Sequence, residues 1–360
     1  MKKLVYSALA IILFSILLLE SRQFIDATEH GSNNTLTIFN WGEYIDPELL
    51  EEFTNQTGIK VIYETFDSNE ALLTKMKSGH VSYDIVIPSD YMIEKMINFD
   101  LLQKIDKTKI TSYSNLNEEL LNKSFDVDNK YSIPYFWGTL GIVYNKELVD
   151  KDLKFEKWDD LWDGRLKNEV ILVDGAREML GIALQSEGYS VNETDEIKLR
   201  LAEKKLELMG SNIKAINNDE KTMIMVNSDA KVAVTFSGSA AKMIDENDKL
   251  VYSVPKEGSN IWFDNMAIPK NAKNVEAAHK FINFMLEPKN AAKNAKFIGY
   301  ATPVKNAYDI LGKEIVTDEQ FYPNEETMHN LEVYDAQSQK IVQLQNDLFL
   351  EFKINIARGY

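Results

Sequence analysis

Short apolar runs and amphipathic segments alternate along most of the chain. Residues 36–39, 60–64, 83–87, 170–173 and 231–235 are runs rich in β-branched and aromatic side chains, and each reads as a buried strand. Asp46-Pro47-Glu48 reads as a helix start: an N-cap acid, a proline at the first helical position, then an acid facing the dipole. The periodicity predicts helices over residues 47–57, 70–77, 92–100, 194–209, 275–286 and about 333–357, with Gly58 and Gly210 as C-terminal stops and Asn274 as an N-cap. Alternation of this kind predicts an α/β architecture.

Residues 131–145 differ in kind. Tyr-Ser-Ile-Pro-Tyr-Phe-Trp-Gly-Thr-Leu-Gly-Ile-Val-Tyr-Asn is a long extended run, interrupted by Pro134, Gly138 and Gly141. Such a run can leave one domain and enter another. A second crossing is expected near residues 260–264, with residues 266–269 continuing as a strand. Two crossings imply two discontinuous domains joined by a hinge.

Composition sharpens this picture. The 360 residues, 44% hydrophobic and 27% charged, suit a soluble protein of about two domains. A net charge of −16 argues against a nucleic-acid partner and would concentrate cations, although acidity also serves solubility. Cysteine is absent, which excludes disulfides, thiolate catalysis and lipidation on cysteine. His30, His80, His279 and His329 show no metal-ligand spacing, so neither a metal nor a cofactor is expected. Residues 1–27 start Met-Lys-Lys and continue into an apolar run over 4–19, the pattern of a secretory signal. Ala27 is the best cleavage position, and an uncleaved membrane anchor is the alternative reading.

In open α/β sheets, ligands lie outside the carboxyl ends of the strands. Here those ends read Asn40-Trp41-Gly42-Glu43-Tyr44, Ser89-Asp90-Tyr91, Asp174-Gly175-Ala176-Arg177-Glu178, Phe236-Ser237-Gly238-Ser239 and Ile261-Trp262-Phe263-Asp264. They deliver Trp41, Glu43, Tyr44, Tyr91, Glu178, Phe236, Trp262 and Asp264, a set of aromatic walls and acids. Its natural guest is a flexible organic cation. Methylenes pack on flat rings, and an ammonium over a ring gains about 0.5–2 kcal/mol. Each buried ammonium also needs acceptors, which carboxylates supply. Trp41 and Trp262 are the expected walls, Asp264 the central counter-ion, and Glu178 and Glu43 the flanking ones. Singly, each has a plainer reading: the tryptophans as core, Glu43 as a solvated charge, Glu178 as a partner of the helix dipole. Trp158 and Trp162 read as helix packing, and Trp137 as hinge packing. Joint placement at strand ends carries the assignment.

The same segments resemble the extracytoplasmic spermidine/putrescine-binding proteins of ABC importers. The resemblance runs from about residue 36 to the C-terminus. It rests on Phe39-Asn40-Trp41-Gly42-Glu43-Tyr44, Tyr83-Asp84-Ile85-Val86-Ile87-Pro88-Ser89-Asp90-Tyr91, Ser132-Ile133-Pro134-Tyr135-Phe136-Trp137-Gly138-Thr139, Ala176-Arg177-Glu178, Phe236-Ser237-Gly238-Ser239-Ala240, Trp262-Phe263-Asp264 and Gly299-Tyr300-Ala301-Thr302-Pro303. It implies an α/β, two-domain type II periplasmic-binding-protein fold with two hinge crossings and a ligand cleft between the domains. The domains would be 36–139 plus 263–308, and 140–262 plus 309–357. Carried over by position, Trp41, Tyr44, Ser89, Tyr91, Glu178, Phe236, Trp262, Asp264 and Tyr300 match ligand-lining positions, and Glu43 an acid near one ligand end. Gly175 stands where some members have a second acid, Phe236 where spermidine binders often have tryptophan, and Tyr334 where some have glutamine. The resemblance implies a monomeric carrier, periplasmic or held at the outer face of the cytoplasmic membrane, that passes a polyamine to a membrane permease.

Other classes remain open at this point. Paired carboxylates could serve a hydrolase of the glycosidase kind, but no histidine or cysteine supports them. Thiaminase-type enzymes on such a fold would need a cysteine nucleophile. A binding protein or sensor for another organic cation, such as thiamine, is the alternative. Ferric iron would call for a tyrosine cluster rather than tryptophan walls.

Overall fold

The structure is a computed structural model that describes residues 34–217 and 220–358. The segment 1–27, with its expected signal or anchor, lies outside the described residues. The strands are β1 (Thr35–Trp41), β2 (Lys60–Phe66), β3 (Ile85–Val86), β4 (Ser132–Asn145), β5 (Val170–Leu172), β6 (Ile213–Ile216), β7 (Val232–Phe236), β8 (Leu250–Ser253), β9 (Ser259–Ala267) and β10 (Leu331–Glu332). They form a ten-stranded sheet ordered β2-β1-β3-β9-β4-β7-β5-β6, with β10 added on β9 and β8 on β4. Among the described residues, the helices of nine residues or more are α1 (Pro47–Thr57), α2 (Asn69–Ser78), α3 (Asp90–Asn98), α4 (Ala176–Ser186), α5 (Glu196–Leu208), α6 (Ser237–Glu246), α7 (Val275–Met285), α8 (Pro288–Ile298) and α9 (Gln339–Ala357).

Local chemistry explains the boundaries. The Asp46 carboxylate accepts the Glu48 N–H at 2.9 Å and Pro47 occupies the first turn of α1, as the sequence predicts. β1 runs two residues past its predicted end because its parallel ladder with β2 continues to Trp41 opposite Phe66. The predicted strand 83–87 shrinks to Ile85–Val86: at Asp84 a side-chain oxygen, not a ladder carbonyl, takes the Thr37 N–H. α5 starts at Glu196, not Thr194, because Asp195 caps it by accepting from Ile197 and Lys198. It ends at Leu208, and Gly210 opens a 3₁₀ turn rather than closing the helix. The last helix begins at Gln339. Ahead of it, Asn192 takes the Val333 carbonyl and the Asp335 N–H, and Glu94 takes the Ala336 N–H, so the groups that would start an earlier turn are occupied.

The 14-residue β4 is the spine. Its residues 132–139 pair antiparallel with β9, and residues 140–145 pair with β7 and β8. A register shift falls between Pro134 and Phe136, where proline cannot donate to the ladder. The cores sort along this spine. One cluster joins residues between Leu36 and Phe136 to residues 266–311, and another joins residues between Leu140 and Val234 to Leu348, Phe349 and Phe352. The parallel trio β2-β1-β3 thus lies at one end of β4 and the parallel trio β7-β5-β6 at the other, with their carboxyl ends bordering the junction.

Candidate functional site

Trp262 and Asp264 do not sit at a strand end as expected. They lie mid-way along β9, two residues apart and so on one face, where the strand passes the junction. Between them Phe263 points the other way into the core, and its N–H is held by Asp90 at 3.0 Å. Asp264 is only 6% exposed. Ser89, at the N-cap of α3, donates its Oγ–H to Asp264 Oδ1 at 2.7 Å, and Tyr44 donates its phenol to Oδ2 at 2.5 Å. Asn69 orients Ser89 in turn, at 3.1 Å. Both partners of Asp264 are neutral hydroxyls, and no lysine or arginine among the described residues pairs with it. Burial pushes its carboxyl up to about 6, against the two hydroxyls that hold it down.

Aromatic rings close around this carboxylate. Trp262 meets Tyr300 edge-on at 5.2 Å between centroids, Tyr300 meets Tyr44 at 5.5 Å, and Phe236 meets Trp262 at 6.4 Å. Two glycines make room for these walls. A Cβ on Gly138 of β4 would lie 2.5 Å from the Trp262 ring, and one on Gly238 of α6 would lie 1.0 Å from Tyr300 Cε1. Burial and the Asp264 charge push the Tyr300 phenol up to about 12 and that of Tyr44 further, so both remain proton donors.

Glu178 sits in the first turn of α4, its carboxylate folded back so that it accepts from its own N–H. The helix-end role is therefore realised, but burial raises its carboxyl above the usual range. Tyr334 and Arg177 lie within electrostatic range of each other and of Glu178 and Asp90, and Tyr91 lies within range of Glu178 and Asp90. Tyr334 is 7% exposed, and its hydroxyl has no partner. The Tyr91 phenol reaches Glu70 only at a long 3.5 Å. Asp174 is exposed and pairs with Lys353 at 2.8 Å. Gly175 is extended at φ −149°, a conformation open to any residue, but its missing Cβ would lie 2.1 Å from Glu178 Oε2.

Trp41 ends β1 with its ring on Phe66 at 4.6 Å and its indole N–H buried without a partner. Glu43 is not brought to the buried group. It is exposed, in a turn where its own φ is +49°. Sequence reasoning passed over Arg177, Asp90 and Gln337. Gln337 buries both ends of its amide without a partner, and so does the Arg177 Nε–H. Twelve of the described residues carry a buried polar atom without a partner, Trp41, Trp262, Arg177, Tyr334 and Gln337 among them. Nothing in the local sequence marks Arg177, Asp90 or Gln337. A cavity of about 420 Å³ behind Tyr300 is walled by Lys242, Lys296 and Asp245 among others, with no surplus of negative charge to attract a cation.

This junction, with an acid caged in aromatic rings between two α/β halves, has the form of a binding protein's cleft. Residues 48–323 match the bacterial extracellular solute-binding proteins, and the chain belongs to that family. It is 41% identical over 307 residues to the spermidine/putrescine-binding periplasmic protein of Escherichia coli K12, covering 85% of this chain and 88% of that one. It is 32% identical over 330 residues to the putrescine-binding periplasmic protein PotF of the same organism, covering 86% and 89%. Among solved structures, the substrate-binding protein PotD of a Streptococcus pneumoniae spermidine/putrescine ABC transporter superposes with a TM-score of 0.86 at 52% identity, covering 90% of this chain and 99% of that one. The fold is that of the periplasmic binding proteins.

Proposed function

We propose that the protein is the substrate-binding component of an ABC importer, capturing spermidine or putrescine outside the cytoplasmic membrane and delivering it to the permease. The observation that carries this reading is Asp264, a buried carboxylate caged by Tyr44, Trp262 and Tyr300 and lacking a cation of its own. An unpaired buried charge is costly unless a partner arrives. An ammonium would supply the charge, and the rings would cover its methylenes. The ligand-lining set is Trp41, Tyr44, Ser89, Tyr91, Glu178, Phe236, Trp262, Asp264, Tyr300 and Tyr334, with Glu43 at the exposed rim. The two units are 36–139 plus 263–308 and 140–262 plus 309–357, hinged on β4 and β9, with Leu311 and Tyr322 reaching back onto the core of the first. The ligand favours the closed arrangement because only there do both units touch it. In this reading the protein is a monomeric carrier without an active site, and bound amine is released chemically unchanged.

Calorimetric titration should show 1:1 binding of spermidine or putrescine at micromolar affinity or better, with no heat from neutral sugars or amino acids. Saturable sugar binding with silent polyamines would sink the reading. A thiamine response without a polyamine response would move it to another organic cation.

Gly175→Ala tests the Glu178 end. The added methyl should push the Glu178 carboxylate out of place. Losing one charge-assisted hydrogen bond, about 1.5 kcal/mol or more, predicts roughly tenfold weaker amine binding. The extended backbone accepts alanine, so the thermal midpoint should hold or rise slightly. Unaltered affinity would mean that Glu178 does not touch the ligand. Gly175→Asp adds a charge at the same cost in displacement, so its shift toward spermidine should appear in the affinity ratio rather than as tighter binding overall.

A further inference from the structure

Arg177 is a half-buried cation placed beside a site for cations. It occupies the first turn of α4, next to Glu178. Its guanidinium lies over the Tyr334 ring at 4.1 Å from the centroid. One terminal nitrogen donates to Asn192 Oδ1 at 2.9 Å and to the Asp335 carbonyl at 2.7 Å. Its Nε–H is buried and has no partner. No carboxylate among the described residues lies within ion-pair distance of it, yet Glu178, Asp90 and Asp335 are close enough to feel its charge. A guanidinium with a buried, unpartnered N–H is unusual where no carboxylate pairs with it. Holding Asn192 and a carbonyl together needs donors, but not a charge, and a neutral amide would do it without the desolvation cost. The charge itself therefore needs a role.

We propose that Arg177 is a specificity-determining residue. Held against Tyr334 beside Glu178 and Asp90, its guanidinium is a resident cation at that end of the site and disfavours ligands that would place an additional ammonium there. This rests on the polyamine reading above. The resident charge acts twice. It takes up part of the negative field of Glu178 and Asp90, leaving less for the ligand. It also repels an incoming ammonium: at an effective dielectric of about 20, two like charges roughly 7 Å apart oppose binding by a factor of about 10 to 100. A diamine that spans from Asp264 to Glu178 carries no ammonium beyond that point, whereas a triamine must place one nearer Arg177 or leave it at the rim.

The test is a set of paired titrations with putrescine and spermidine, at one salt concentration, on wild type, Arg177→Gln and Arg177→Lys. Wild type should favour spermidine by less than about tenfold. Arg177→Gln should raise the spermidine-to-putrescine affinity ratio about tenfold or more, and Arg177→Lys should stay within about threefold of wild type. A purely structural role would weaken both amines by one factor and leave the ratio unmoved, which would overturn the proposal. So would a ratio in Arg177→Lys that shifts as far as in Arg177→Gln. The wild-type measurement stands even if a variant fails to fold: a spermidine preference well beyond tenfold overturns the inference alone. Absence of saturable binding of either amine overturns the polyamine reading, and this inference with it.

Discussion

Asp264→Asn should lose polyamine affinity by roughly 30-fold to several thousand-fold and, in the absence of ligand, be at least as stable as wild type. The two halves of this expectation share one cause. The substitution is isosteric: Asn Oδ1 still accepts from Ser89, and Asn Nδ2 can donate to the Tyr44 oxygen where the carboxylate accepted from it. The negative charge alone is removed. With ligand bound, that leaves an ammonium in a ring cage without its counter-ion, and truncating one partner of a buried charge pair costs about 2–5 kcal/mol. Without ligand, the wild-type carboxylate is desolvated and offset only by two hydroxyls, so removing its charge relieves a cost. A residue that mattered only for packing would lower stability and binding together. The check is a thermal melt of both ligand-free proteins at pH 7.5 alongside two titrations. Equal affinities in a folded Asn variant would place the carboxylate outside the ligand's reach.

Much of this arrangement was legible in the chain because it is written in local rules. Asp46-Pro47 caps a helix by the geometry of one turn, and alternating short strands and helices leave few architectures to choose from. The strand-end rule found Tyr44 and Phe236 because parallel strands present their carboxyl ends to a common edge. It misplaced Trp262 and Asp264, which reach the site from the middle of β9. A strand that crosses between two units meets the ligand along its length, and no stop signal marks the spot. Glu43 has the right chemistry for a flanking acid but the wrong direction, since its left-handed backbone turns it to solvent. Arg177, Gln337 and Asp90 were illegible for a different reason. What distinguishes the first two is a buried polar atom left without a partner in three dimensions, and Asp90 stands out only through its burial beside Asp264. A sequence records neighbours along the chain and is silent about missing ones in space.

Binding should also be tied to proton release. Burial raises the ligand-free carboxyl of Asp264 to about 6, and that of Asp90 to about 7, where the Asp264 charge adds to burial and the Phe263 and Tyr91 N–H groups and Arg177 oppose it. The two primary ammoniums of putrescine, close to lysine at about 10.4, stay charged throughout this range, so putrescine is the ligand for this measurement. A cation that arrives beside Asp264 stabilises the ionised form and must expel whatever proton is there. Affinity should therefore be level above about pH 7.5 and decline as pH falls through 6, approaching tenfold per unit as one proton must leave per ligand. Calorimetry at pH 6 in two buffers of different ionisation enthalpy should report release of up to one proton, and at pH 8 almost none. The ligand-free protein should show the opposite slope at this group. The folded pKa lies above the ordinary 3.8 of aspartate, so between those values the folded state binds more protons than the unfolded one, and stability from Asp264 is present below about pH 4 and lost as pH rises through 6. Other carboxylates contribute their own slopes, so the clean comparison is with Asp264→Asn, whose stability advantage should be small at pH 4 and open up by pH 7. Affinity unchanged from pH 5 to 8, with no proton released, would mean that Asp264 is already ionised in the empty site, and the charge that waits for the ligand would then have to be held by solvent rather than suppressed by burial.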